Sequence, residues 1–272
     1  MAVIKKERVL ITVKTYPTPS TKYIELVCTA GVKEDGSWIR IYPAPFRFLK
    51  TKYKKYQWIE LSLEKNPKDY RPESYRPCNI EDIKLCEFIS SKRDWEERKR
   101  LILAKNTIYT DLHAVIAGAK SNEFSLAIFK PSRIKKFVFK PINPILNPKR
   151  EEVVCELIRQ GSLFEKTDNF IRTKQLPYKF SYEFTDDKNV NSTLMIADWE
   201  IGQLYWNCRK KVESDEKAIQ LVQQKYYDDI ANTKDVYFFL GTTFKSHRIA
   251  KNPYIIIGVF YPQHTSQLQL DF

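Results

Sequence analysis

Glu34, Asp35 and Gly36 separate two segments in which apolar and polar side chains alternate, KYIELVCTAGV at 22–32 and SWIRIY at 37–42. Alternation places successive side chains on opposite faces of a strand. Asp followed by Gly supplies a tight reversal at little steric cost. Residues 22–42 therefore read as a β-hairpin. RVLITVK (8–14) before it and YQWIELSLE (56–64) after it carry the same period of two, with Trp58 out of phase with Ile59, Leu61 and Leu63. Roughly five strands joined by long connections fit a small closed barrel better than a parallel sheet. Pro43 and Pro45 close the hairpin's second strand, and Arg40 and Arg47 are expected at the barrel mouth.

DYRPESYRP (69–77) reads as an ordered loop crossing the barrel, because each proline holds the preceding arginine extended. DWEERKRLILAKN (94–106) reads as a helix with Asp94 at its N-cap. FSLAIFKPSRIKKFVFKP (124–141) reads as two short strands broken at Pro131. INPILNPK (142–149) carries the densest turn signals and is taken as the boundary.

Beyond it, 151–164 reads as a helix, and 178–184 with 192–197 as a second hairpin. Helices follow at 198–211 and 215–233, with Asp198 and Asp215 as caps. VYFFLGT (236–242) and YIIIGVFY (254–261) are near-continuous apolar runs, expected at a sheet centre covered on both faces. The fold class expected is α+β: a small closed β-barrel, then a mixed α+β domain with central apolar strands. The expected divisions are 1–145 for the basic barrel region, 150–262 for the α+β domain and 263–272 for a flexible tail.

Charge sets the class of partner. Lys and Arg number 46 against 33 Asp and Glu, a net charge of +13. Residues 1–150 hold 31 basic and 16 acidic side chains, and residues 151–272 hold 15 and 17. A basic half beside a near-neutral half reads as a polyanion-binding module joined to something else. No apolar run reaches the ~18 residues of a membrane span, and MAVIKKERVL lacks a signal-peptide apolar core. A cytoplasmic setting and no membrane partner are expected. Five cysteines (Cys28, Cys78, Cys86, Cys155, Cys208) and three histidines (His113, His247, His264) are scattered without a C-x-x-C. Free thiols, no metal and no other cofactor are expected.

FRFLKTKYKKYQW (46–58) interleaves Arg47, Lys50, Lys52, Lys54 and Lys55 with Phe46, Phe48, Tyr53 and Tyr56. Single-stranded nucleic acid is held by such a mixture, rings stacking on bases and cations meeting phosphates. Arg71 and Arg76 add planar forks suited to phosphate. The competing reading puts Trp38 or Trp58 into a core and pairs Arg71 and Arg76 with Asp69 and Glu73.

The terminal QLQLDF offers Gln267, Leu270 and Phe272 at the spacing of peptides that bind replication sliding clamps, or else a final strand or a frayed end tucked onto the core. No phosphate-binding glycine loop and no G-x-S-x-G occurs. Asp198 and Glu200, joined by Asp186 or Asp187, are candidates to hold Mg²⁺, but helix capping accounts for the first two equally. GTTFKSHR (241–248) offers Gly241, Thr242, Thr243, Ser246, His247 and Arg248 as a pocket for a base or phosphate, with Trp199, Tyr205 or Trp206 as a stacking wall, or else it is only a loop.

YIELVCTAGVKEDGSWIRIYP, followed by KYQWIELSL and DYRPESYRP, resembles the prokaryotic dual OB-containing domain proteins over roughly the first 80 residues. The features that carry it are Cys28, Ala30, Gly31, Gly36, Trp38, Ile39, Arg40 and the loop 71–77. The resemblance implies an OB-like barrel, nucleic-acid binding and a setting in genome defence. It brings no catalytic residues with it.

The expected function is a non-enzymatic nucleic-acid-binding component of a genome-defence or DNA-processing system. The alternative is a Mg²⁺-dependent nuclease or modified-base reader working through the back half. A third class is the scaffold subunit of a larger complex.

Overall fold

The structure, a computed structural model, describes residues 4–20, 24–45, 53–79, 81–142 and 173–264. The expected helix at 151–164 and the tail beyond His264 lie outside these residues.

The front strands are β1 (Lys5–Lys14), β2 (Thr18–Ser20), β3 (Ile24–Lys33), β4 (Trp38–Pro45), β5 (Gln57–Lys65), β6 (Ser74–Pro77) and β7 (Lys84–Phe88). Five close on themselves in the order β1-β3-β4-β6-β5, with β5 returning to β1. Only the β4–β6 pairing in that ring is parallel. The expected hairpin is β3–β4, turned at Gly36 with φ of 89°, where a side chain would be strained. β4 runs through both prolines to Pro45, where its last residues pair with β3. The expected crossing loop is shorter than read, because Ser74–Pro77 closes the barrel as β6.

α1 (Lys92–Ile102) follows, and its N-cap is Ser91 rather than Asp94. Then come β8 (Ile108–Tyr109), α2 (Leu112–Lys120), β9 (Leu126–Phe129) and β10 (Arg133–Pro141). The remaining elements are β11 (Tyr178–Thr185), β12 (Asn191–Ile196), α3 (Trp199–Val212), α4 (Asp215–Gln223), a π-helical continuation at Gln224–Ala231, β13 (Tyr237–Thr242) and β14 (Tyr254–Phe260). The second sheet is ordered β10-β11-β12-β14-β13-β9-β8. β8, β9 and β10 thus belong to the second sheet, so the structural division falls ahead of Ile108 and not at 142–149. A proline-rich segment marks a break in regular structure, not necessarily a break between cores.

Three apolar clusters show how the layers stack. Val9, Ile11, Ile39, Ile41, Ile59, Leu61 and Leu63 fill the barrel. The other faces of the same strands, Leu10, Val13 and Trp58, meet Tyr237, Phe239, Ile257 and Phe260 of the second sheet. On the far side of that sheet, Phe238, Leu240, Ile256 and Val259 pack against Ile201, Tyr205, Ile219 and Val222 of α3 and α4. β13 and β14 lie between barrel and helices, which accounts for their unbroken apolar runs. Each large side chain buried there contributes about 1.5–3 kcal/mol. Among the described residues, no helix is long and apolar enough to cross a membrane.

Candidate functional site

ADWEIGQLYWNCRKK opens α3. Asp198 is extended (φ −65°, ψ 141°), and its carboxylate accepts the Glu200 backbone N–H, capping the helix as expected. Trp199, Gln203, Trp206 and Lys210 recur at spacings of four, three and four, which is one helix face. Ile201, Tyr205 and Cys208 form the buried face. The first face lines a cleft of about 810 Å³, walled further by Tyr16, Lys174, Pro177, Arg209 and Asp215.

Tyr16 fixes the geometry of this cleft. Its ring lies directly on Gly202, so closely that a Cβ there would sit 2.1 Å from the ring carbons. The Tyr16 and Trp199 rings stack at 5.6 Å and 25°. The Tyr16 hydroxyl donates to the Lys174 carbonyl at 2.6 Å and accepts from Trp206 Nε1 at 2.9 Å. Lys174 Nζ stands 5.3 Å from the Trp206 ring centre. At the other end, Asp215 accepts from Arg209 Nε at 2.6 Å and from the Tyr205 hydroxyl at 3.0 Å. Burial pushes the Tyr205 phenol well up, and Asp215 adds to it, so Tyr205 stays a protonated donor at neutral pH. Glu213 also lines the cleft, and Asp215 holds Arg209, which leaves Lys174 and Lys210 as its exposed cations; flat rings with cations beside them match what a nucleotide presents, a planar base and an anionic phosphate.

The expected barrel contacts are placed otherwise. Arg40 is 1% exposed. β4 turns Ile39 and Ile41 into the barrel and Trp38 and Arg40 outward, but outward here means toward the second sheet. Trp38 meets Phe239 edge-on at 5.5 Å, and Arg40 donates to Ser125 Oγ at 2.6 Å. Glu73 accepts from the same Ser125 hydroxyl at 2.6 Å and from its N–H at 2.7 Å. Arg71 is buried too, donating twice to Asp69 and once, at 2.6 Å, to the Thr242 carbonyl. Neither arginine reaches a barrel mouth.

Arg76 is partly exposed and paired with Glu64 at 2.7 Å. Tyr53 and Tyr56 are 5% and 4% exposed, inside the cores, and offer no ring for a base. Lys54 is exposed. Arg47, Lys50, Lys52, Gln267, Leu270 and Phe272 lie outside the described residues.

Lys55 reaches across to the second unit, 3.2 Å from Asp198 and 2.6 Å from Glu200. Burial depresses the ammonium, and the two carboxylates overcome that and hold it well above the ordinary lysine range. Burial pushes the Asp198 carboxyl up to about 6 against the pull of Lys55. Asp198 also accepts the Val259 N–H at 3.3 Å. Asp186 instead caps the β11–β12 turn, and Asp187 accepts from Thr110 at 2.7 Å, both away from Asp198. The four carboxylates do not converge, and among the described residues no three His, Cys, Asp or Glu side chains form a metal-binding group.

The 241–248 segment does not face the aromatic wall. Thr242 is paired with Tyr254 at the start of β14, whereas Asp198 meets Val259 near its end. His247 is fully buried, with Nδ1 2.9 Å from the Thr242 hydroxyl and Nε2 2.8 Å from Asn122 Oδ1.

With the division placed at 104/105, the charge asymmetry shrinks. Residues 1–104 then hold 22 basic and 14 acidic side chains, and residues 105–272 hold 24 and 19. Much of the barrel's charge is neutralised locally: Arg8 by Glu34 and Glu87, Lys6 and Lys84 by Glu60. One basic barrel face is not formed among the described residues. Sequence reasoning named Trp199, Tyr205 and Trp206 but missed Tyr16, Lys174, Arg209 and Lys210. The four-three-four spacing from Trp199 to Lys210 would have found the last. No local pattern announces Tyr16, which arrives from a distant part of the chain.

Two family models match the chain and meet where the sheets divide. Residues 5–104 match Domain of unknown function (DUF8758), and residues 105–271 match Domain of unknown function (DUF8757). No curated protein matches the chain. The second match spans more than half of the sequence, and the chain therefore belongs to the family described as Domain of unknown function (DUF8757).

Proposed function

We propose that this protein binds nucleic acid without cleaving it, and that the cleft on α3 takes a nucleotide of the bound strand. The observation that carries the reading is the cleft itself, in which the half-buried rings of Trp199 and Trp206, braced by the buried Tyr16, stand beside the exposed Lys174 and Lys210. Base–aromatic stacking contributes about 1–3 kcal/mol per base, and a rim cation adds a salt-dependent phosphate contact. The barrel supports the same reading: its strand order and single parallel pairing suit an OB-like barrel, a fold used for oligonucleotides. The outer face of β4 in this barrel, however, is covered by the second sheet through Trp38 and Arg40, so the contact moves to α3. The resemblance to dual OB-containing domain proteins extends the proposal to a component of genome defence or DNA processing. Lys55 on Asp198 and Glu200 weighs against the nuclease alternative, because an ammonium already balances those carboxylates.

The test is fluorescence anisotropy of a labelled oligonucleotide against salt. Lys174→Glu with Lys210→Glu should weaken binding at least tenfold and lower the salt slope by about 1.4, two phosphates at ~0.7 each for a single strand. Trp206→Ala should weaken binding by roughly 5- to 150-fold, the equivalent of ~1–3 kcal/mol. Wild-type protein that binds no oligonucleotide in low salt would overturn the proposal.

A further inference from the structure

Three loops meet at the end of β13 and β14 remote from the cleft. The first is 66–73, the second is the end of α2 with residues 120–124, and the third is 243–251. Tyr70 ties them together: its hydroxyl donates to the Phe244 carbonyl at 3.0 Å, its ring lies 5.3 Å from that of Phe244, and its carbonyl accepts from Asn122 at 3.3 Å. His247 plugs the third loop inward against Asn122 and Thr242. Backbone bonds from Ser246 and His247 to Thr243, and from Ile249 and Ala250 to Ser246, hold the loop in consecutive turns.

The inward plug forces the neighbouring side chains outward. Tyr70 is 44% exposed, Phe244 45% and Ile249 81%. Lys68, Lys120, Lys245, Arg248 and Lys251 stand on the same three loops, all exposed, against one exposed carboxylate, Glu123, whose Oε1 accepts from the Ser121 hydroxyl. Among the described residues none of these five makes an ion pair, in contrast to the paired cations of the barrel. The segment 241–253 contains three basic residues and no acidic one. A rigid surface of unpaired cations around aromatic side chains is complementary to a polyanion whose bases carry π-faces. Its backbone is already ordered, so little entropy is lost when a ligand docks.

We infer that this three-loop surface is a second contact for the nucleic-acid strand, gripping phosphates with Lys245, Arg248 and Lys251 and a base with Tyr70 and Phe244. The inference rests on the nucleic-acid reading of the cleft and extends it to a length requirement. The N-cap of α3, at one edge of the cleft, meets Val259 near the end of β14, and the three loops meet at its start; β14 spans about 20 Å at ~3.3 Å per residue. A strand rising ~3.4 Å per nucleotide needs on the order of six nucleotides to cover that length alone. An anionic lipid surface would also attract the cations, but Ile249 is the one strongly protruding aliphatic side chain of the third loop, and the aromatic pair is fixed by the Tyr70 hydroxyl rather than free to insert.

The experiment compares fluorescein-labelled oligothymidylates of 4 and 16 nucleotides on the full-length protein, with anionic phosphatidylserine vesicles as a third arm. Lys245→Glu, Arg248→Glu and Lys251→Glu together should weaken the 16-mer at least tenfold and lower its salt slope by about 2, three phosphates at ~0.7 each. The 4-mer, held by the cleft, should keep its affinity, and the melting temperature should not move. The milder Phe244→Ala should weaken the 16-mer alone. Unchanged 16-mer affinity in the triple variant would overturn this inference and leave the cleft reading standing. Loss of vesicle binding with an unchanged 16-mer would assign the surface to lipid instead. Wild-type protein that binds neither oligomer would sink both readings.

Discussion

His247 is the residue on which the loop 243–251 hangs. Burial depresses its imidazole to about 4, and the Arg71 and Arg40 charges add to that effect. The folded protein therefore takes up this proton less readily than the unfolded chain, whose histidine titrates near 6.5. Its contribution is fully present above about pH 6.5 and is lost as pH falls toward 4, at up to about 1.4 kcal/mol per pH unit. Urea unfolding from pH 7 to pH 4.5 should show this slope in the wild type and a flatter one in His247→Gln. Parallel profiles would place the ring in a setting that does not disfavour its charge.

The same neighbourhood shows what alternation leaves undetermined about the arginines. The period of two correctly separates Ile39 and Ile41 from Trp38 and Arg40. It does not tell whether the second face meets water or another layer. Arg71 carried both possibilities in the sequence, and its partner is Asp69, one of the two carboxylates considered. The Thr242 carbonyl, 171 residues away, was not legible.

α3 is the element that builds the cleft, and Gly202 is what lets Tyr16 reach it. A methyl group at 202 has no room against the Tyr16 ring. Gly202→Ala should cost about 1–3 kcal/mol by overpacking, and it should weaken oligonucleotide binding because Tyr16 then leaves its bonds to Trp206 and Lys174. Thermal unfolding and anisotropy on one preparation check both; unchanged stability would mean the ring is free to move aside.

β1, β3, β4 and β5 were legible from alternation, and β13 and β14 from continuous apolar runs, because burial on one face or two leaves those marks. Asp198 as a cap was legible for the same local reason. α2 was missed although Asp111 caps it in the usual way, accepting the His113 N–H. β6 was missed because four residues between prolines and turns carry too little pattern, and its strand identity comes from closing the barrel.

At the scale of the molecule, two family matches cover two sheets that share one apolar boundary. Leu10, Val13 and Trp58 on one side and Tyr237, Phe239 and Phe260 on the other are buried by each other. Arg40, Arg71 and Lys55 add polar ties at both ends of β14. Neither unit retains its own surface without the other, so unfolding should be one cooperative transition, with far-ultraviolet dichroism and tryptophan fluorescence superimposing. Two separated transitions would show that the boundary contributes little. The placement of that boundary also governs the charge argument: the basic residues between 105 and 150 fall on the second family's side of it, and the excess that would set the barrel apart shrinks accordingly.

The most direct test of that contact is ultraviolet cross-linking of the full-length protein to a 16-nucleotide oligothymidylate, followed by mapping of the modified peptides. Adducts on the peptide that carries Trp199 and Trp206 are predicted. Adducts confined to the barrel surface around Lys5, Lys6 and Lys84, with α3 unmodified, would contradict the account.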